Sequence, residues 1–306
     1  MEEVSSLAKE LKAHLPWHQA RIIFLAQFIL GLIRGRSCNL YRVAEEFQGQ
    51  SQAESSYRRI KRFFAGYTYC YEQLGKLILH WLNLDRYTLC MERTLKLIPA
   101  DKIDELLADR EFIGRDWFKW LDNQGIVCRL RIKESTTVLG NCGKNIKAAQ
   151  LFWNIKLDQT VTWHSKRKVS GIYLYIAARR TIKGLLIVVA TQKPDTMIED
   201  YFKRWSIETL FGCLKSRGFD LKSTHMTDLD RMEKLMGMLA LTFAWCLIAG
   251  HWHYGEAKEL PLNKHMRPAK ALFRLGIDML RRVLKNEGSK NDQIGFQTLL
   301  QVLSRT

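Results

Sequence analysis

Tyr201, Arg204, Glu208 and Lys215 are the residues of this 306-residue chain whose types and spacing could do chemistry. They lie in the stretch YFKRWSIETLFGCLK, residues 201–215. Read as a helix at about 100° per residue, the four fall within roughly 60° of one another on a single stripe. Phe202, Trp205, Ile207, Leu210, Phe211 and Leu214 fill most of the remaining circumference. A carboxylate set between two cations among large apolar side chains must be paired wherever it is partly buried. Spacing alone leaves two readings open. One is a half-buried ion-pair stripe of the kind common on helices; the other is a functional cluster of charges.

The same four residues match a known pattern. Tyr, two residues, Arg, three residues, Glu, six residues, Lys is the Y-R-E-K motif of the insertion-sequence-4 family of DDE transposases. The stretch LLADREFIGRDWFKWL (106–121) resembles that family's second catalytic block, in which the Asp of ADREF, here Asp109, is an active-site carboxylate. SSYRRIKRFF (55–64) resembles its N-terminal DNA-binding region, with Arg58, Arg59, Lys61 and Arg62 as the cations. The blocks occur in the family's order, and the chain is similar to the family from about residue 17 to 250.

The resemblance implies an α/β fold: an incomplete RNase H-like catalytic core, a β-rich insertion and a helical N-terminal DNA-binding region. Residues 1–84 would bind DNA, 85–134 and 194–250 would form the core, 135–193 the insertion, and 251–306 a helical C-terminal region. It implies the cutting and joining of element ends by phosphoryl transfer, with carboxylates holding two Mg²⁺ ions, for which Mn²⁺ can substitute. Asp109 and Glu208 would be metal ligands and Glu92 the third. Arg204 and Lys215 would hold phosphates beside the scissile bond, and Tyr201 would buttress them. The implied partners are double-stranded DNA carrying the element's terminal repeats and, on that DNA, a second copy of the chain.

Two departures from the family pattern bear on activity. The family's first carboxylate is an Asp within Asp-Arg-Thr, whereas the words here are Glu92-Arg93-Thr94. The extra methylene would displace a metal-ligating carboxylate by roughly an ångström, and Mg²⁺ demands near-octahedral geometry. Glu92 and Asp109 are also only 17 positions apart (109 − 92), where the family places several dozen residues. An internal segment of the core is expected to be missing, leaving the first strand without its antiparallel neighbours. A catalytically inactive, DNA-binding remnant is therefore the alternative to an active transposase.

Composition agrees with a DNA partner. Lys and Arg number 48 against 31 acidic residues, a net charge of +17, which favours a polyanion over an uncharged ligand. The 7 cysteines include no CxxC pair; reduced thiols in a cytoplasmic, nucleoid-associated bacterial protein are expected. The longest uncharged run, Leu235–Gly250, falls short of the ~20 residues that span a bilayer, so a buried core helix is expected and no membrane partner.

The elements that must position these residues follow from periodicity. Helices are expected over 17–36, 39–47, 55–66 with Ser55 or Ser56 as N-cap, 71–84, 101–105, 114–125, 201–215 and 229–250. Gly125 is the C-cap candidate of the sixth. Strands are expected over 86–93, 105–109 and 126–133, and then at LFWNIKL (151–157), TVTWHS, SGIYLYIAA and GLLIVVAT. Between 156 and 183 the cations Lys156, Lys166, Arg167, Lys168, Arg179, Arg180 and Lys183 face one acid, Asp158. A phosphate-tracking surface and a set of solvated hairpin turns both fit that run.

Overall fold

The computed structural model describes residues 2–47, 49, 52–82, 87–88, 98–112, 114–254, 271–285 and 295–304. Its helices are α1 (Glu2–His14), α2 (Gln19–Gly35), α3 (Leu40–Glu45), α4 (Ala53–Gly66), α5 (Tyr71–Leu82), α6 (Arg115–Asn123), α7 (Ala148–Leu151), α8 (Met197–Phe202), α9 (Trp205–Gly212), α10 (Leu229–Trp252), α11 (Leu272–Lys285) and α12 (Phe296–Ser304). Its strands are β1 (Tyr87–Thr88), β2 (Ile103–Ala108), β3 (Cys128–Ile132), β4 (Thr137–Leu139), β5 (Asn145–Lys147), β6 (Thr160–Val169), β7 (Ile172–Thr181) and β8 (Gly184–Ala190). The chain divides into two compact units, Asp85–Glu208 and Met1–Leu84 with Thr209–Thr306.

The first unit is built on one sheet in the order β1-β2-β3-β8-β7-β6-β4-β5. β1, β2 and β3 run parallel, and α6 supplies the crossover that parallel neighbours such as β2 and β3 require. The other pairings are antiparallel. Tyr87 and Thr88 sit at the sheet's edge, against β2. The segment expected as an insertion shares its sheet with the strands expected of the core, because β8 pairs directly with β3.

Alternation along the strands assigns the two faces. Leu106, Ala108, Cys128, Leu130, Ile132, Ile187 and Val189 bury toward Phe118 and Leu121 of α6. Ala177, Leu186, Val188 and Ala190 bury toward Met197, Ile198 and Tyr201 of α8. Successive side chains point to opposite faces. Glu105, Arg129 and Arg131 therefore lie on the α8 face, and continuing the alternation one residue past β2 puts Asp109 there too.

The second unit is helical. Leu235, Leu239, Trp245 and Ala249 of α10 are buried, and α10 packs against α2, α5, α11 and α12. α10 is long and apolar enough to cross a membrane by length and composition alone, yet 56% of its apolar window is buried among these neighbours, as in a core helix. α10 and α11 cross at backbone contact. A Cβ on Gly276 would lie 1.8 Å from the Cys246 carbonyl oxygen, and one on Gly250 2.1 Å from that of Leu272.

Several expected elements are corrected. The stretch 201–215 is not one helix: α8 ends at Phe202, Lys203 and Arg204 form a turn, α9 follows, and Cys213–Arg217 widens into a π-helical turn. Three-residue backbone bonds close the break, Lys203 N–H to the Asp200 carbonyl (3.0 Å) and Arg204 N–H to that of Tyr201 (3.0 Å). LFWNIKL is not a strand. The Lys147 N–H bonds the Gln150 side chain (2.9 Å), which caps α7, and Phe152 and Ile155 turn inward. Residues 100–102 form a single 3₁₀ turn, so β2 begins at Ile103. α4 starts at Ala53 with Gln52 as N-cap, and Ser56 is buried instead of capping. Gly125 holds φ +70° just past the Gln124 cap of α6, a left-handed position that suits glycine. Residues 89–97, and with them Glu92, lie outside the described residues.

Candidate active site

Asp109 follows β2, half-buried, with Oδ1 accepting the Arg110 N–H at 2.8 Å. α8 is held across the same face by Met197, Ile198 and Tyr201. Tyr201 is 3% exposed, and its hydroxyl has no hydrogen-bond partner among the described residues. Burial pushes that hydroxyl up to about 12; Arg204 opposes the shift, Asp109 reinforces it and Arg131 opposes it. At neutral pH the group is a phenol with Arg204 beside it.

Arg204 stands in the turn between α8 and α9. Its Nη2 bonds Glu208 Oε1 at 2.8 Å, one helical turn away, as pairs four apart on a helix do. Its buried Nε has no partner among the described residues. Burial lowers the affinity of this guanidinium for its proton, but Tyr201, the bond to Glu208 and the Asp109 charge outweigh burial and hold it above its usual range. The electrostatics thus join Asp109, Tyr201, Arg204 and Glu208. The Glu208 side chain is 61% exposed, that of Arg204 only 15%, so the carboxylate forms the solvent side of the pair.

Beside these residues is a cavity of about 420 Å³, lined by Arg131, Arg179, Lys183 and Arg204 with Asp158 as its acid. Tyr201, Phe202 and Trp205 supply aromatic walls, and Trp205 is 57% exposed. Arg179 and Lys183 belong to the run of cations expected to track phosphate, whereas Arg131 was not singled out. The signal was in the alternation of CRLRI, where apolar residues at 128, 130 and 132 turn one way and cations at 129 and 131 the other.

Lys215 and the α4 cations belong to the helical unit. Lys215 is exposed in the π-helical turn of the helical unit. On α4, Arg58, Lys61 and Arg62 are exposed, with Arg58 paired to Glu54 at 3.4 Å. Arg59 turns inward, bonding Gln27 at 2.8 Å and lying 5.5 Å from the Phe24 ring, so it belongs to the helix packing. Among the described residues no group of three or more His, Cys, Asp or Glu is placed to hold a metal ion. Arg204 holds one Glu208 oxygen, and Glu92 lies outside the described residues. The cysteines Cys38, Cys70, Cys128, Cys142, Cys213 and Cys246 are free thiols.

Residues 88–245, more than half of the chain, match the family model described as the transposase DDE domain, and the chain belongs to that family. Comparison with curated proteins finds no match.

Proposed function

We propose that the chain is a DNA transposase of the insertion-sequence-4 type that binds element ends and is impaired in cutting and joining them. The observation that supports this reading is the Arg204–Glu208 pair beside a cation-lined cavity, with Tyr201 and Arg204 within electrostatic reach of Asp109. A phosphodiester would supply an anion for Arg131 and acceptors for the Arg204 Nε and the Tyr201 hydroxyl. Exposed Arg58, Lys61 and Arg62 would track the duplex. The protein would work on DNA in a bacterial cytoplasm, as a dimer on the terminal repeats. Mg²⁺, or Mn²⁺ in its place, is the cation that Asp109, Glu208 and Glu92 would share.

A second reading is a remnant that binds DNA without cutting it. It is favoured by Glu in place of Asp at position 92, by the short Glu92–Asp109 spacing and by the guanidinium on Glu208.

Calorimetry with Mn²⁺ on the wild type and on Asp109→Asn separates the two. Binding that is lost in the variant, with metal-dependent cleavage lost in Asp109→Asn and Glu208→Gln, supports the impaired enzyme. No Mn²⁺ binding in either protein, with DNA still bound, supports the remnant. Absence of DNA binding sinks both.

A further inference from the structure

Arg129 is 1% exposed, and its guanidinium is bonded to several elements at once. Its Nε bonds Glu105 Oε2 at 2.5 Å and its Nη2 pairs with Asp200 Oδ2 at 2.7 Å. Nη1 donates to the Lys193 carbonyl at 2.9 Å, and Nη2 also reaches Thr196 Oγ1 at 3.3 Å. Lys203 closes the network, 3.3 Å from Glu105 and 2.8 Å from Asp200. Two cations thus balance two carboxylates, which a buried cluster needs in order to be tolerated.

The members come from four places. Glu105 is on β2, four residues before Asp109. Arg129 is on β3, two residues before Arg131. Thr196 is in the turn entering α8, and Asp200 immediately precedes Tyr201. The network therefore bolts the segment that ends in Tyr201 and Arg204 to the strands that carry Asp109 and Arg131. The neighbouring arginine makes the contrast. Arg131 projects from the same face of β3, lines the cavity and has no acidic partner among the described residues.

We propose that Arg129 is the positioning residue of this site, acting through Asp200 and Glu105 to hold Tyr201 and Arg204 in register with Asp109. The inference rests on the reading above, that Arg204 meets DNA phosphate. Misplacement by about an ångström is enough to weaken such a contact.

The test uses the full chain, a labelled DNA duplex of mixed sequence and local hydrogen exchange. Arg204→Ala should lower affinity about tenfold, the loss of one charge-assisted bond. Arg129→Met and the milder Asp200→Asn should each lower it by a similar factor, Arg129→Lys by less. Combined with Arg204→Ala, neither should lower it further, as expected of residues acting through one contact. In both variants the amides of 197–204 should exchange faster while those of β7 and β8 stay protected. Wild-type affinity in Arg129→Met and Asp200→Asn overturns the proposal, as does an effect that adds to that of Arg204→Ala. If Arg204→Ala binds as the wild type does, the DNA reading fails instead. Unchanged exchange over 197–204 then overturns the positioning role on its own.

Discussion

At the scale of single residues, the site is defined by groups the fold leaves unsatisfied. A buried hydroxyl without a partner destabilises a protein, because the bonds it made to water are not replaced. Tyr201→Phe removes that hydroxyl and keeps the ring. We expect an unchanged or slightly raised melting temperature and a several-fold loss of DNA affinity; a fall in both would mark Tyr201 as a packing residue only. The same group makes stability depend on alkaline pH. Its folded value is raised from 10.0 to about 12, so the folded chain keeps a proton that the unfolded chain has released. The stability is intact below about pH 10 and falls as pH rises toward 12, by roughly 3 kcal/mol from this residue. Burial also raises Tyr69, whose hydroxyl bonds the Lys234 carbonyl. The wild type should therefore lose stability more steeply than Tyr201→Phe in urea titrations across that window, with the difference belonging to Tyr201.

At the scale of elements, the fold depends on periodicity where the chain is regular and on side-chain capture where it is not. α6, α10, β7 and β8 were legible because an apolar stripe or an unbroken apolar run marks each. The break between α8 and α9 was not, because it is made by bonds to residues distant in sequence: Lys203 reaches Glu105, and Asp200 reaches Arg129. LFWNIKL has a strand's composition, but Gln150 caps a helical turn before it and its apolar residues are captured unevenly, Phe152 buried and Trp153 78% exposed. β4 and β5 are too short to carry a period. In the candidate site, Asp109, Tyr201, Arg204 and Glu208 were picked out by resemblance and Arg179 as one of a run of cations, whereas Arg131 needed the strand faces to be known. The α10–α11 crossing gives a sharp test. With a Cβ at 1.8 Å from a carbonyl oxygen, Gly276→Ala forces the helices apart and should cost about 3 kcal/mol or more, despite alanine's higher helix propensity. Gly66→Ala, where a Cβ meets nothing within 4 Å, should be near neutral. Equal melting temperatures for the two variants would contradict the backbone contact.

At the scale of the whole molecule, the excess of cations bears on the proposed binding of DNA. With a net charge of +17, the logarithm of DNA affinity should fall linearly with the logarithm of salt concentration, at a slope proportional to the number of phosphates contacted. Replacing Arg58, Lys61 or Arg62 by Ala should each reduce the slope by about 1. Arg59→Ala should instead lower the melting temperature and leave the slope alone, since its guanidinium is spent on Gln27 and Phe24. A slope that does not change with the three exposed residues would remove α4 from the DNA-binding surface.

The division of labour between the two faces of β2 and β3 also has a consequence over evolutionary time. One face carries the apolar residues that keep the sheet folded; the other carries Asp109, Arg131 and the Arg129 network. A lineage released from selection for strand cutting can drift at Asp109, Arg131 and Glu208 while still folding. Glu105, Arg129 and Asp200 are less free to drift, because each loss unbalances the charges of the network. Descendants of this chain should therefore lose Asp109 before they lose Arg129 or Leu130.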